Sequence, residues 1–315
     1  MEKLCNLLFE LSNEDRLRIL NAIDKEATNV TNLSNTLGLT TQECSRHVSR
    51  LSKARLTSKD VEGLHHLTPY GELILKQLEG LKFISQHSSY FISHTLAGIP
   101  PEFIFRIGEL AETTYVDDVM VTFFGLEKLL QKAEEYVWTI TDQYLADTIP
   151  LFRKAVERGV RQRNIEPKDY YRYHYQDEDR KAFERLRIAG LLEERVVDRL
   201  HIHLYMSEKE VAGISFPLLD GRFDYLGFTS KDQESHKWCK DLFLNYWERA
   251  PTRVDRVEEL YRWVKKSAKA IHALRRISAG KDVANEKEII SELERMGLVK
   301  QRKLTLLGEL VYERL

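Results

Sequence analysis

Two groups of side chains in this 315-residue chain have types and spacings suited to chemistry. The first lies in TTQECSRHVSRL, residues 40–51, where Thr41, Gln42, Ser45, Arg46, Ser49 and Arg50 fall on one side of a helical period. Arginine offers a planar fork that fits a guanine edge or a phosphate, and a glutamine amide matches the donor–acceptor pair of an adenine edge. Lys53, Arg55 and Lys59 follow closely and add cations suited to phosphate rather than to bases. The second group is HIHLYM, residues 201–206. On a strand His201 and His203 would point to one face, where Asp142, Arg163, Arg222, Asp224 and Tyr225 are the candidates to join them around a small ligand.

The first group needs a frame. In LSNEDRLRILNAIDKE, Leu17, Ile19, Leu20 and Ile23 recur at near-helical spacing behind Ser12, which with Asp15 forms a capping pair. A short second helix carries Leu33 and Leu37 and stops at Gly38. Thr40 and Glu43 cap a third helix from Thr41 to about Ala54, with Cys44, Val48 and Leu51 inward. LTSKDVEGLHHLT reads as a two-stranded hairpin turning at Asp60 to Gly63. Helix, turn, capped helix and hairpin make a winged helix–turn–helix over residues 1–80, an arrangement whose second helix enters the major groove of DNA. The bland alternative is a solvated charged face used for protein contacts.

The stretches LFELSNEDRLRIL, SRHVSRL and HHLTPYGELIL resemble the ArsR-type winged-helix repressors over about the first quarter of the chain. The resemblance implies a DNA-binding module. It does not extend to the metal-thiolate sites of some ArsR repressors, because Cys44 has no cysteine neighbour and reads as a small core residue.

Residues 81–115 read as connecting helices broken at GIPPEF by two prolines. Beyond them MVTFFG, EYVWTIT and LHIHLYM are strand-like, and DTIPLFRKAVERG and DRKAFERLRIAG helical, so residues 116–250 predict an α/β domain. LFRKAVERGVRQRNI and HIHLYMSEKEVAGIS resemble phospholipase D-like domains. In that register His201 holds the place of the nucleophilic His, His203 replaces the Lys and Glu208 replaces the Asp, which implies a degenerate domain kept for ligand sensing rather than a nuclease. HTLAGIPPEFIFRIGEL, YVWTITDQYL, FPLLDGRFDYLGFTSKD and KWCKDLFLNYWERAP extend a further resemblance, to archaeal winged-helix methanogenesis regulators of the FilR type, out to about Pro251. That resemblance implies a regulator with an effector domain in its middle. YYRYHYQ, residues 170–176, either stacks on a base or lids a pocket, or packs on its own sheet.

Over residues 251–315, RVEELYRWVKKSAKAIHALRRI reads as one amphipathic helix, and IISELERMGLVKQRKLTLLGELVYERL repeats the winged-helix half with a shorter wing. Leu293 matches Leu51, Leu298 matches Leu56, and LTLLGELV matches LTPYGELI. Glu286, Glu288, Glu292 and Glu294 dominate the counterpart of the recognition helix, which would repel phosphates.

Lys plus Arg number 48 against 49 Asp plus Glu, so attraction to a polyanion must come from a local patch. Three scattered cysteines without a CxxC pair fit a reducing compartment. The expectation is an α+β multidomain chain: an N-terminal winged helix–turn–helix, a middle α/β sensor domain and a C-terminal helical, winged-helix-like segment. Its partners would be a double-stranded DNA operator, a small-molecule effector and a second copy of itself, in the cytoplasm, with no membrane, metal or cofactor and no catalysis. The rivals are a phosphodiesterase using His201 and a protein-binding scaffold.

Overall fold

The computed structural model describes residues 1–143, 146–168, 186–187, 189–251, 256–283 and 286–315. The chain divides into two compact units, Met1–Ser93 with Pro100–Glu112, and His94–Ile99 with Thr113–Leu315.

The first unit opens on α1 (Glu2–Leu11), a helix the sequence reading had not set apart. The expected Ser12–Asp15 cap is displaced by one residue. The hydroxyl of Ser12 donates to Phe9 O, and α2 (Glu14–Lys25) is capped by Asn13, whose side chain accepts from Arg16 N. Asparagine serves there as well as serine. α3 (Val30–Leu37) ends at Gly38, left-handed at φ 69, and α4 (Thr41–Lys53) starts from a complete capping box between Thr40 and Glu43. Ile19, Leu20, Ile23, Leu33, Cys44, Val48, Leu51 and Leu56 close one core beneath these helices. β1 (Thr57–Lys59) and β2 (His65–Leu67) pair antiparallel as the wing, and α5 (Pro69–Gln86) follows.

The boundary expected at residue 80 falls inside α5. A 3-10 turn, Ile107–Leu110, packs there so tightly that a Cβ on Gly108 would stand 2.8 Å from the nitrogen of Gly80. The segment expected to be a connector thus largely joins the first unit, through α6 (Ser88–Ser93), α7 (Pro101–Phe105) and that turn. Pro101 opens α7 in its first turn, where a missing N–H costs nothing.

The second unit is built on a seven-stranded sheet. Its elements are β3 (Thr114–Val116), α8 (Val119–Lys132), β4 (Tyr136–Ile140), α9 (Ile149–Glu157), β5 (Arg161–Pro167), β6 (Leu192–Val197), β7 (His203–Ser207), β8 (Val211–Ser215), β9 (Gly227–Ser230) and α10 (Gln233–Arg249). The strand order is β3-β9-β8-β7-β4-β5-β6, with β4, β5 and β6 parallel and the other pairs antiparallel. MVTFFG, expected as a strand, lies inside α8. Asp118 caps that helix by accepting from Met120 N, and Thr122, Leu126, Leu129 and Leu130 recur on its buried side, so the helical period overrides local β-propensity.

The C-terminal part has a core of its own, including Val264, Leu274, Leu293, Leu298 and Val311. The single amphipathic helix expected there is two, α11 (Arg256–Lys265) and α12 (Ala268–Ser278), because Ser267 accepts from Ala270 N and starts a new helix. α13 (Lys287–Arg295), a hairpin of β10 (Val299–Lys300) and β11 (Lys303–Leu304), and α14 (Leu306–Glu313) complete it. The internal repeat holds at atomic detail. Thr68 accepts from Gly71 N at 3.0 Å and donates to Arg55 O at 2.6 Å, and Thr305 accepts from Gly308 N at 3.1 Å and donates to Gly297 O at 2.6 Å. The architecture is α+β and multidomain, with a winged helix–turn–helix at the N-terminus. Among the described residues no helix is long and apolar enough to cross a membrane.

Candidate nucleic-acid interface and the buried histidine

α4 buries Cys44, His47, Val48 and Leu51 and turns Thr41, Gln42, Ser45, Arg46, Ser49 and Lys53 to solvent. Apart from Arg50, the side chains of this face form no hydrogen bond or ion pair among the described residues, so Arg46 and Gln42 keep their full donor sets. Arg50 differs: its side chain is 40% exposed, and Glu10 takes Nε at 2.9 Å and Nη2 at 2.6 Å. The outward face read from the sequence therefore holds one arginine that is already paired.

The wing is held rigid from within. The carboxylate of Asp60 accepts the amides of Glu62 and Leu64 and bonds His66 Nε2 at 2.6 Å, which keeps it below the ordinary carboxylate range. Val61 stands at the tip fully exposed, and Lys59 and Arg55 point outward at the base.

Arg55 sits where glycine usually does. Leu56 N donates to Leu51 O and Arg55 N to Ser52 O, the two bonds of a Schellman close, with Arg55 left-handed at φ 62. The C-terminal copy makes the same bonds, Leu298 N to Leu293 O and Gly297 N to Glu294 O, but places Gly297 at φ 78. A non-glycine residue in this conformation costs of order 1 kcal/mol. The N-terminal module accepts that cost and gains a cation beside α4.

The copy departs in two further ways. Glu286 at the start of α13 makes no side-chain cap, and its carboxylate approaches Arg276 at 3.5 Å and His272 at 3.9 Å. Between α12 and α13 the described residues include no helix corresponding to α3.

In the second unit the structure separates most of the residues expected to share a ligand site. His201 precedes β7 instead of lying on it, and its Nδ1 stands 3.1 Å from Ala97 O. Arg163 is on the opposite face of the sheet from His203: Trp138 pairs with both Arg163 and Met206, whereas Thr139 pairs with Tyr205, two residues along the strand from His203. Arg163 lies over the rings of Trp138 and Trp247 and bonds Glu193 at 3.2 Å. Arg222 is exposed and paired with Asp220, and Asp224 faces His94 at 3.2 Å.

What does converge is His203, Tyr225 and Asp142, with Tyr205, Gln143 and Thr141, three residues sequence reasoning missed. The hydroxyl of Tyr225 donates to Asp142 Oδ1 at 2.9 Å and accepts from Gln143 Nε2, and the hydroxyl of Tyr205 lies 3.3 Å from Thr141 Oγ1. Tyr225 is left-handed at φ 61, an uncommon state for an aromatic residue and one concentrated at functional sites. Burial, then the Asp142 carboxylate, drives its phenol above the ordinary range. Of the three missed residues, Tyr205 was within reach of sequence reasoning, through its period-2 spacing from His203.

His203 is 0% exposed, its ring 4.3 Å from that of Tyr205 and 5.2 Å from that of Tyr225, and among the described residues neither ring nitrogen has a hydrogen-bond partner. Burial lowers its pKa from 6.5 to about 3. The unfolded chain therefore binds a proton between those values that the folded chain refuses, so stability is complete above pH 6.5 and falls as pH drops toward 3. His203→Phe is expected to remove most of this slope, worth up to about 3 kcal/mol at pH 4 by linkage. Urea midpoints at pH 7 and pH 4 check it; equal slopes in the two proteins would refute it.

Glu208, in the place of the motif's Asp, lies just past the end of β7. Its carboxylate accepts the amides of Glu134 at 2.8 Å and Tyr136 at 3.2 Å; burial pushes its pKa up, but these bonds outweigh it and hold it low. It closes a turn. No cluster of three or more His, Cys, Asp or Glu suited to a metal occurs among the described residues. YYRYHYQ, and residues 179–185 and 188 of DRKAFERLRIAG, lie outside the described residues.

These features define the class: a winged helix–turn–helix module in a chain that also carries an α/β domain. No family model and no curated protein sequence matches the chain. Among solved structures it is similar to TrmBL2, an archaeal chromatin protein that shows a novel mode of DNA binding, at 15% identity over 76% of this chain and 94% of that one, with a TM-score of 0.38. It is also similar to Nuc, a phospholipase D family member from Salmonella typhimurium, at 9% identity over 45% of this chain and 96% of that one, with a TM-score of 0.31. Neither likeness carries what those proteins do over to this chain.

Proposed function

We propose that this protein is a sequence-specific DNA-binding transcriptional regulator of the ArsR-like, winged-helix kind, with DNA contacts from Thr41, Gln42, Ser45, Arg46, Ser49, Arg50, Lys53, Arg55 and Lys59. The observation that carries the reading is the capped α4, which offers a rigid, cationic and largely unpaired face beside a braced wing. The glycine-to-arginine exchange at Arg55 supports it, as does the acidic character of the corresponding helix in the copy. Arg46 and Gln42 would meet base edges, and Lys53, Arg55 and Lys59 phosphates.

In this reading the middle domain takes a small effector at the cluster of His203, Tyr225 and Asp142 and alters operator affinity, a coupling between two sites. A left-handed Tyr225 and a buried imidazole without a hydrogen-bond partner among the described residues support that location. The chain works in the cytoplasm as a homodimer, since one such module reads only a short half-site. Exposed Leu4 and Leu8 on α1 and Leu73 and Leu81 on α5 are apolar surface a second copy would cover. It is not an enzyme in this reading.

Salt dependence tests the central claim. With Lys53, Arg55 and Lys59 at phosphates, raising salt from 50 to 200 mM is expected to weaken retention of a duplex by about fortyfold per module. Fluorescence anisotropy with a labelled duplex measures this, and a flat profile would favour a scaffold that binds protein instead.

A further inference from the structure

Glu10 stands outside the residues assigned to DNA above, yet its carboxylate engages the one paired arginine on α4. Arg50 donates Nε to Oε2 at 2.9 Å and Nη2 to Oε1 at 2.6 Å, across 40 residues of sequence, and its guanidinium lies over the ring of Phe9, 5.3 Å from the centroid. Glu10 is itself anchored from behind. Arg16, buried, donates Nε to Glu10 O at 2.5 Å and Nη2 to Phe9 O at 2.7 Å, and its Nε lies 3.5 Å from Glu10 Oε2. The hydrogen bond from Arg50 holds the Glu10 carboxylate below its ordinary range, so it stays ionised at neutral pH.

A guanidinium has five N–H groups, and Glu10 takes two of them on the side-on fork. The Nη1 pair and the second Nη2 hydrogen, the end-on fork, have no partner among the described residues. An arginine whose charge is matched by a fixed carboxylate is drawn less strongly to whichever phosphate is nearest. Because its rotamer is already set, it loses little entropy on meeting a planar pair of acceptors. In the major groove that pair is the O6 and N7 of guanine.

We propose that Glu10 is a specificity-determining positioning residue, which aims the end-on fork of Arg50 at a guanine and withdraws Arg50 from the phosphate contacts. The proposal rests on the DNA-binding reading and deepens it. It assigns a duty to α1, a helix that carries no base-reading residue of its own.

The test is selection of the full-length protein on a library of randomised duplexes, followed by binding to the selected duplex and to one with the key guanine replaced. The unmodified protein should lose about tenfold or more on that replacement. Glu10→Gln, Glu10→Ala and Arg50→Ala should each lose less than about twofold, and Glu10→Ala combined with Arg50→Ala should be no worse than Arg50→Ala alone. Affinity of Glu10→Ala for an unselected duplex should match or exceed that of the unmodified protein, an outcome a purely structural role for Glu10 would not produce. Should alanine loosen α1, seen as lost ellipticity, the Gln variant carries the test. A full guanine preference in both Glu10 variants, or an equal loss on every duplex, overturns the assignment of Glu10 alone. No retention of any duplex by the unmodified protein overturns the DNA-binding reading and this proposal together.

Discussion

Arg46→Ala combined with Arg50→Ala is expected to reduce retention of a selected duplex by a hundredfold or more in a gel-shift assay, with the thermal midpoint nearly unchanged. Each guanidinium contributes a contact to base or phosphate worth about 1–3 kcal/mol, and together they account for two or more decades of affinity. The fold loses little. Arg46 is exposed and makes no ion pair among the described residues, and the Arg50–Glu10 pair is screened by solvent, so breaking it costs little. Glu10 keeps Arg16 as a neighbour in the variant, so its carboxylate is not stranded. Undiminished binding by a folded double variant would remove α4 from the interface. Total loss accompanied by unfolding would show that the face serves the core.

Gly71→Ala and Gly308→Ala should separate the two winged-helix copies. A Cβ on Gly71 would lie 2.1 Å from the carbonyl oxygen of Leu56, and one on Gly308 would lie 2.0 Å from that of Leu298. The obstructing atoms are backbone, and Leu56 O also accepts Thr68 N at 3.0 Å, so relief requires opening the joint between wing and helix. Each substitution is expected to cost its module about 3 kcal/mol or more. Gly71→Ala should abolish duplex retention. Gly308→Ala should leave it close to unmodified, because the C-terminal core is built from residues 257–315 alone and its exposed helix is acidic. Hydrogen exchange resolved by segment, alongside gel shift, reads both effects. Retention lost with Gly308→Ala and kept with Gly71→Ala would reverse the assignment of the two copies.

The candidate interface was legible because most of its determinants are local. A cap lies three residues from its partner, the Cys44, Val48 and Leu51 spacing is one helical face, and Gly38 marks a left-handed stop. The same rules displaced only one cap, from Ser12 to Asn13, and merged α11 with α12 where Ser267 is a weak signal within a continuous apolar period. Reading MVTFFG as a strand failed because β-branched and aromatic residues fill a buried helix face as readily as a sheet.

The ligand site was poorly legible for the opposite reason. Strand ends, faces and registers are set by pairing partners far away in sequence, so nothing local showed that β7 starts at His203, leaving His201 outside it. Register also sent Arg163 to the other face, and a non-local pairing gave Asp224 to His94. By itself the amino-acid order settled the winged module, its repeat and the residue types on α4, since helices, caps and turns close hydrogen bonds over a few residues. Only the folded chain determined that Arg50 is held by Glu10 and that His203 lies buried between tyrosines, because those contacts join segments whose approach depends on the whole packed core.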